Sequence, residues 1–189
     1  MNPELLIIML EFVLVVVTIT LLLFLLSMIW PPDSPWSPWW RTSKDIARLQ
    51  LKLAKVGKKD IVYDLGCGDG TALLTAAKEF GARGVGVEID PLRYYVAKLR
   101  VKFARLSKVI TIERSNFFQV DTSEATVVIM YLIPKALARL KPKLLSELKP
   151  GTRIITFVYK IDLPMIASDL KHEIYIYEIP KRGAGKTQL

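Results

Sequence analysis

Residues 60–70 read DIVYDLGCGDG, and the change of character inside this stretch decides the fold. Ile61-Val62-Tyr63 is a short apolar run of the kind that forms a buried strand. Gly66, Gly68 and Gly70 follow it, and Leu73, Ala76, Ala77 and Phe80 then mark one face of a helix that closes at Gly81. A backbone without Cβ atoms can turn sharply and approach a ligand closely, so strand, glycine loop and helix together predict a nucleotide-type cofactor site. The competing interpretation is a tight turn that holds nothing.

On either side the pattern repeats. Gly84–Glu88 reads as a second strand, and Asp90-Pro91 supplies a helix cap with proline at the first helical position. The spacing predicts that this helix buries Leu92, Tyr95, Val96, Leu99, Phe103 and Leu106. Val109–Glu113 is a third strand, and Thr126–Leu132 a fourth, apolar enough for the centre of a parallel sheet. Leu137, Leu140, Leu144 and Leu148 mark helical turns broken near Pro142. Lys149-Pro150-Gly151 turns into a fifth strand, Arg153–Tyr159, and Glu173–Ile179 belongs to a pair of terminal strands. Before the glycine loop, Thr42 or Ser43 caps a helix whose apolar face is Ile46, Leu49, Leu53 and Val56. Strand and helix alternate throughout, which predicts an α/β domain with a mostly parallel sheet.

Two acids sharpen the ligand. Asp64 ends the first strand, just before the glycines, and Glu88 ends the second, where a carboxylate can take both hydroxyls of a ribose. A pyrophosphate on this loop would be repelled by Asp64. A sulfonium and an amino group, the charges at the methionine end of S-adenosylmethionine, would be attracted, and Asp69 adds to the same negative potential.

Composition bounds the alternatives. The chain has 189 residues and a net charge of +9, but residues 1–40 hold Glu4, Glu11 and Asp33 and no base, so every one of the 27 Lys and Arg lies beyond Trp40. That excess can attract phosphates, anionic lipid or an acidic protein, or can simply be a solvated surface. Cys67 and His172 are the only residues of their types, which excludes an intrachain disulfide and leaves too few ligands or bases for a zinc site or a Ser-His-Asp triad. No metal is expected. Scarce Asn and Gln beside abundant Lys and Glu hint at a thermophilic source.

From Phe12 to Trp30 the chain runs 19 residues without a formal charge, enough to span a bilayer as a helix. The segment lacks the basic start and small-residue cleavage site of a signal peptide, so it is expected to be retained. Arg41, Lys44 and Arg48 follow it and no base precedes it, which puts the C-terminal part in the cytoplasm. The expected organisation is a transmembrane helix over 1–30, with residues 5–30 in lipid, and a Pro/Trp-rich linker over 31–42. A cofactor domain over 43–180 and a loose basic tail over 181–189 follow. Trp30, Trp36, Trp39 and Trp40 sit where the helix leaves the bilayer, as interfacial anchors or as walls of a substrate pocket. Glu11 snorkels or mediates helix association. Gly183–Thr187 imitates a phosphate loop, but Pro180 stands where its first glycine belongs.

VYDLGCGDG with GVEID resembles the first two motifs of class I S-adenosylmethionine-dependent methyltransferases. DIVYDLGCGDG, SNFFQVDTSEATVVIMYL and LKPKLLSELKPGTRII together resemble the small archaeal protein-lysine methyltransferases, whose mitochondrial relatives also carry an N-terminal membrane segment. The resemblance covers roughly residues 42–180. It implies a Rossmann-like, seven-stranded, mostly parallel sheet with the last strand antiparallel, and S-adenosyl-L-methionine as cofactor. It implies that Asp64, Gly66, Gly68 and Gly70 cradle the methionine portion and that Cys67 and Asp69 also belong to the cofactor-binding set. Glu88 would hold the ribose, Ile89 would lie against the adenine, and Asn116 and Phe117 would bind and flank its edge.

After the fourth strand, Tyr131-Leu132-Ile133-Pro134 replaces the Asn/Asp-Pro-Pro-aromatic motif of enzymes that methylate nucleic-acid bases, which argues against such substrates. Methyl transfer to lysine needs a neutral amine, and desolvation in an aromatic pocket lowers the amine pKa. Tyr131 is the candidate for lining that channel, Tyr159 a poorer one, and packing is the ordinary explanation for either. The expected activity is protein-lysine N-methylation of a membrane or membrane-proximal protein. The alternatives are methylation of a lipid or hydrophobic small molecule, and a non-catalytic cofactor-binding module.

Overall fold

The structure, a computed structural model, describes residues 3–29 and 41–180. The expected linker from 31 to 40, its tryptophans with Trp30, and the tail from 181 lie outside the described residues. The chain divides into two compact units, one built on an N-terminal helix and one on the elements from Lys44 onward. The first unit is helix α1, Pro3–Ile29, whose side chains up to Leu26 are all exposed. Over Pro3–Leu26 it is long and apolar enough to cross a membrane by length and composition.

In the second unit, α2 (Lys44–Leu53) is capped by Ser43, whose hydroxyl accepts from the Ile46 amide at 3.2 Å. Strands β1 (Ile61–Leu65), β2 (Arg83–Glu88) and β3 (Ile110–Arg114) are parallel, with α3 (Thr71–Phe80) and α4 (Pro91–Phe103) as crossovers. Strand β4 (Val127–Met130) pairs with the opposite side of β1, α5 (Pro134–Glu147) leads to β5 (Arg153–Phe157), and a hairpin of β6 (Met165–Asp169) and β7 (Ile174–Glu178) completes the sheet. The order is β3-β2-β1-β4-β5-β7-β6, and β7 runs antiparallel to both of its neighbours. This is the seven-stranded, mostly parallel sheet expected from the sequence.

Helix and strand do not alternate throughout, however. The passages from β3 to β4 and from β5 to β6 carry no helix. Pro142 does not break α5. It lies on the exposed face with Ala138, whose carbonyl loses its helical partner where water can replace it.

The largest departure is α4. Asp90 caps it as expected, its carboxylate accepting from the Arg93 amide at 2.9 Å. The buried stripe, though, is Arg93, Ala97 and Val101, while Leu92, Tyr95, Val96, Leu99 and Phe103 are exposed and Leu106 is half-buried. The cause is close packing. Ala97 faces the glycine loop where α4 crosses it: a Cβ on Gly70 would lie in van der Waals contact with the Ala97 Cβ, at 3.5 Å. Strand β2 is built for the same closeness from α3: a Cβ on Gly86 would lie 2.7 Å from a Leu73 methyl and 2.8 Å from the Cys67 sulfur.

The amino ends of the strands are tied by a polar cluster. Arg153 pairs with Asp60 and donates to the Ala54 and Lys55 carbonyls, and Thr126 donates to Asp60 at 2.6 Å. The carboxyl ends carry no such clamp among the described residues and open at the point where the strand order reverses between β1 and β4, the usual ligand position in such sheets.

Candidate active site

The loop after β1 turns on three left-handed glycines, Gly66, Gly68 and Gly70, with φ of 89°, 54° and 74°. The Gly66 and Cys67 amides both donate to the Val87 carbonyl, at 2.8 and 3.0 Å, which binds the loop to the end of β2. Gly70 caps α3 in the left-handed region, where any side chain would be strained.

Glu88 is buried and holds two neighbours: its carboxylate accepts from the Gly68 amide at 2.9 Å and the Asp90 amide at 3.0 Å. Burial raises its pKa, and those two amides with Arg93 pull it back. Each oxygen keeps a lone pair for a further donor. Asp64, next to it, is different. It is buried, and no hydrogen bond or ion pair to its carboxylate occurs among the described residues. Burial first, then the Glu88 and Asp69 carboxylates, push it up to about 7. A buried acid with acids for neighbours and no donor favours the approach of a cation.

Asp69 is deployed elsewhere. Its carboxylate pairs with Arg41 at 3.1 Å and Arg100 at 2.7 Å and accepts from the Thr71 hydroxyl at 2.6 Å. Arg100 also donates to the Asp69 carbonyl, so Asp69 clasps the base of the loop. The Cys67 side chain likewise faces the core beneath the loop rather than the opening, and burial pushes its thiol up. Neither arginine was legible as a partner, because Arg100 lies 31 residues away in sequence.

The loop after β3 is drawn to the same edge by the Ser115 amide, which donates to the Glu88 carbonyl at 3.2 Å. It brings half-exposed Asn116 and buried Phe117 beside Glu88 and half-exposed Ile89. The Asn116 carbonyl oxygen already accepts from the Phe118 amide at 3.0 Å, leaving one lone pair and its amide hydrogens.

Beyond β4, Leu132 covers Gly66, whose Cβ would meet its methyl at 3.6 Å. The half-buried Tyr131 ring stands edge-on to Phe157, centroids 4.7 Å apart. Burial, followed by the Tyr159 and Glu173 charges, raises the Tyr131 pKa and keeps its hydroxyl protonated. Val158, between Phe157 and Tyr159, has φ of 65°, a strained conformation for a β-branched residue. It is fixed by the bond from its amide to the Glu173 carbonyl at 2.8 Å. Phe157 and this strained corner were not legible in the sequence, whose apolar pattern carries the strand straight through them.

A cavity of about 520 Å³ lies to one side, lined by Arg41, Lys44, Thr71, Lys78 and Arg100 among others. Its lining includes none of Asp64, Glu88 or Tyr131, so it is separate from this cleft. Among the described residues no group of His, Cys, Asp or Glu could hold a metal.

The chain is similar to known proteins in sequence and in fold. The family model described as the ANTKMT methyltransferase domain matches residues 64–165. A protein-lysine N-methyltransferase of Saccharolobus islandicus is 40% identical over 156 residues, 78% of this chain and 95% of that protein. An adenine nucleotide translocase lysine N-methyltransferase of Mus musculus is 32% identical over 109 residues, 57% of this chain and 46% of its own length. The chain therefore spans nearly all of the first relative and under half of the second. Among solved structures, an RNA methyltransferase from Salinibacter ruber in complex with S-adenosyl-L-homocysteine superposes with a TM-score of 0.73 at 35% identity, covering 79% of this chain and all of that one.

Proposed function

Since the chain belongs to the ANTKMT methyltransferase domain family and is an S-adenosylmethionine-dependent methyltransferase, we propose that its acceptor is the ε-amine of lysine in a protein at a membrane. In this proposal α1 spans the bilayer, residues 31–42 link it to the catalytic domain over 43–180, and 181–189 form a tail. The domain faces the cytoplasm because the bases follow the span.

The observation that carries the cofactor site is the buried Asp64 carboxylate beside the glycine loop, which has no hydrogen-bond or ion-pair partner among the described residues. When bound, S-adenosylmethionine supplies an electrophilic methyl on a positively charged sulfur. Ionised Asp64 balances the cationic methionine end, and Gly66 and Gly68 let the backbone approach it. Glu88, held open by two amides, accepts from the ribose hydroxyls with its remaining lone pairs. Ile89, Asn116 and Phe117 enclose the base.

At the next strand ends, Tyr131 and Phe157 form an aromatic wall that strips water from an incoming lysine and favours its neutral form. The protonated Tyr131 hydroxyl accepts a hydrogen bond from the amine and orients its lone pair. Alignment and desolvation suffice, because the sulfonium leaving group needs no acid. The relation at 40% identity to a protein-lysine N-methyltransferase supports lysine as the acceptor.

The test is mass spectrometry of membrane proteins incubated with the full chain and cofactor. Methyl groups added to lysine are expected. Tyr131→Ala should lower turnover with protein at least about tenfold while leaving cofactor affinity within a factor of about two. A second acceptor, RNA, is favoured by the Salinibacter ruber relative and the basic domain. Label that follows RNA after protease digestion, and never lysine, would replace the lysine assignment.

A further inference from the structure

The apolar stripe that α4 turns away from the core has no part in the site above. Leu92, Tyr95, Val96, Leu99 and Phe103 recur at helical spacing, so they lie along one face. Tyr95 is 58% exposed, Leu99 51% and Phe103 82%, which makes Phe103 the barest large apolar residue of the domain's described part. A helix face of this size left to water marks a docking surface.

Its flanks say what docks. From Pro91 to Ile112 the chain holds six Lys and Arg and not one acid. Lys98, Lys102, Arg105 and Lys108 are exposed around the stripe. The two arginines of α4 are turned inward: Arg93 is buried, and Arg100 pairs with Asp69. A second copy of the chain would bring this like-charged rim against itself, which opposes a symmetric contact. Exposed bases around leucine and aromatic side chains instead suit a lipid surface bearing negative headgroups. Such a helix lies in the interfacial plane, its apolar face in the acyl boundary and its ammonium groups among phosphates.

The same chain carries the α1 span candidate, and residues 30–43 join the two. Fully extended, they allow the domain no more than about 50 Å of travel from the bilayer. We infer that the exposed face of α4 docks the catalytic domain onto an anionic bilayer surface. The inference rests on the proposed membrane span. Docking would hold the N-terminal end of α4, and with it the Glu88–Asp90 rim of the cofactor cleft, close to substrates that emerge from lipid.

The experiment uses the full chain in nanodiscs loaded with a single copy. One set is made of phosphatidylcholine, the other of phosphatidylcholine with about a third phosphatidylglycerol. Hydroxyl-radical footprinting reads the side chains. Oxidation of Tyr95 and Phe103 should be at least about threefold lower in the anionic discs, and strong salt should restore it. Leu170, exposed on the β6–β7 turn, should be oxidised equally in both. Leu99→Glu with Phe103→Glu replaces only exposed groups and should abolish the protection of Tyr95, with calorimetric cofactor affinity unchanged.

Equal oxidation in the two discs overturns the inference, whether the face is bare in both or covered by the chain itself. Protection confined to discs holding two copies overturns it in favour of a contact between protomers. A chain that stays with neither kind of disc overturns the span and the docking together, whereas a chain retained in both with equal oxidation overturns the docking alone, so the two failures are distinguishable.

Discussion

Asp64 is where the chemistry and the stability of the domain pull in opposite directions. Its folded pKa of about 7 stands above the ordinary 3.8, so ionising it in the empty domain opposes folding. The group therefore costs nothing below pH about 4, its penalty grows as pH rises to about 7, and it stays constant beyond, reaching at most about 4 kcal/mol. A cationic ligand reverses the preference. Affinity for S-adenosylmethionine should climb up to about tenfold per pH unit as pH rises towards 7, then level off. Binding at pH 6 should release a proton, measurable by calorimetry in buffers of different ionisation enthalpy. Asp64→Asn should raise the melting temperature of the empty protein at pH 8 while weakening binding and erasing the slope. A variant that keeps the slope would show that another group sets it. The placement of single residues was legible where it is local: Asp64 and Glu88 lie at the ends of β1 and β2, and the glycines turn the loop between β1 and α3. The surroundings of Asp69 and Cys67 were not, since what their side chains touch is decided by Arg100 and Gly86, which lie far along the chain.

Single elements were legible by their ends and opaque in their orientation. Ser43 and the Asp90-Pro91 pair announced two helices, because capping is written within four residues. The buried stripe of α4 was not legible, because periodicity weighs large apolar side chains while the face that meets the glycine loop carries the small Ala97 against Gly70. Strand β2 follows the same logic of closeness. Gly86→Ala would force a Cβ to within 3 Å of Leu73, Cys67 and Ile112 at once. It should destabilise the domain by about 1–3 kcal/mol, read from denaturant midpoints, and loosen the glycine loop lying on Cys67. An unchanged midpoint would mean that Leu73 and Ile112 repack freely.

Across the domain, the candidate site and the polar clamp lie at opposite ends of the parallel strands. A mostly parallel α/β sheet was legible from the alternation of strand and helix patterns over most of the domain, while the order of its strands was not. The clamp of Arg153, Asp60 and Thr126 was not, because its members are spread over more than 90 residues. Arg153→Met keeps volume but removes the cation beside Asp60, whose carboxylate retains only the Thr126 hydroxyl and the Gly57 amide, and leaves the Ala54 and Lys55 carbonyls without their donor. It should cost about 2–3 kcal/mol of stability without altering cofactor affinity, as urea titration and calorimetry would record. Loss of both would place the clamp within the site's own support.

The solitary thiol offers a further use for this division. Because Cys67 is sealed under the glycine turn and disfavours its thiolate, an alkylating reagent can reach it only when that turn lifts. Its modification rate is thus a built-in stopwatch for breathing at the catalytic edge. Occupancy by the cofactor should slow it several-fold under conditions where global unfolding is too rare to contribute.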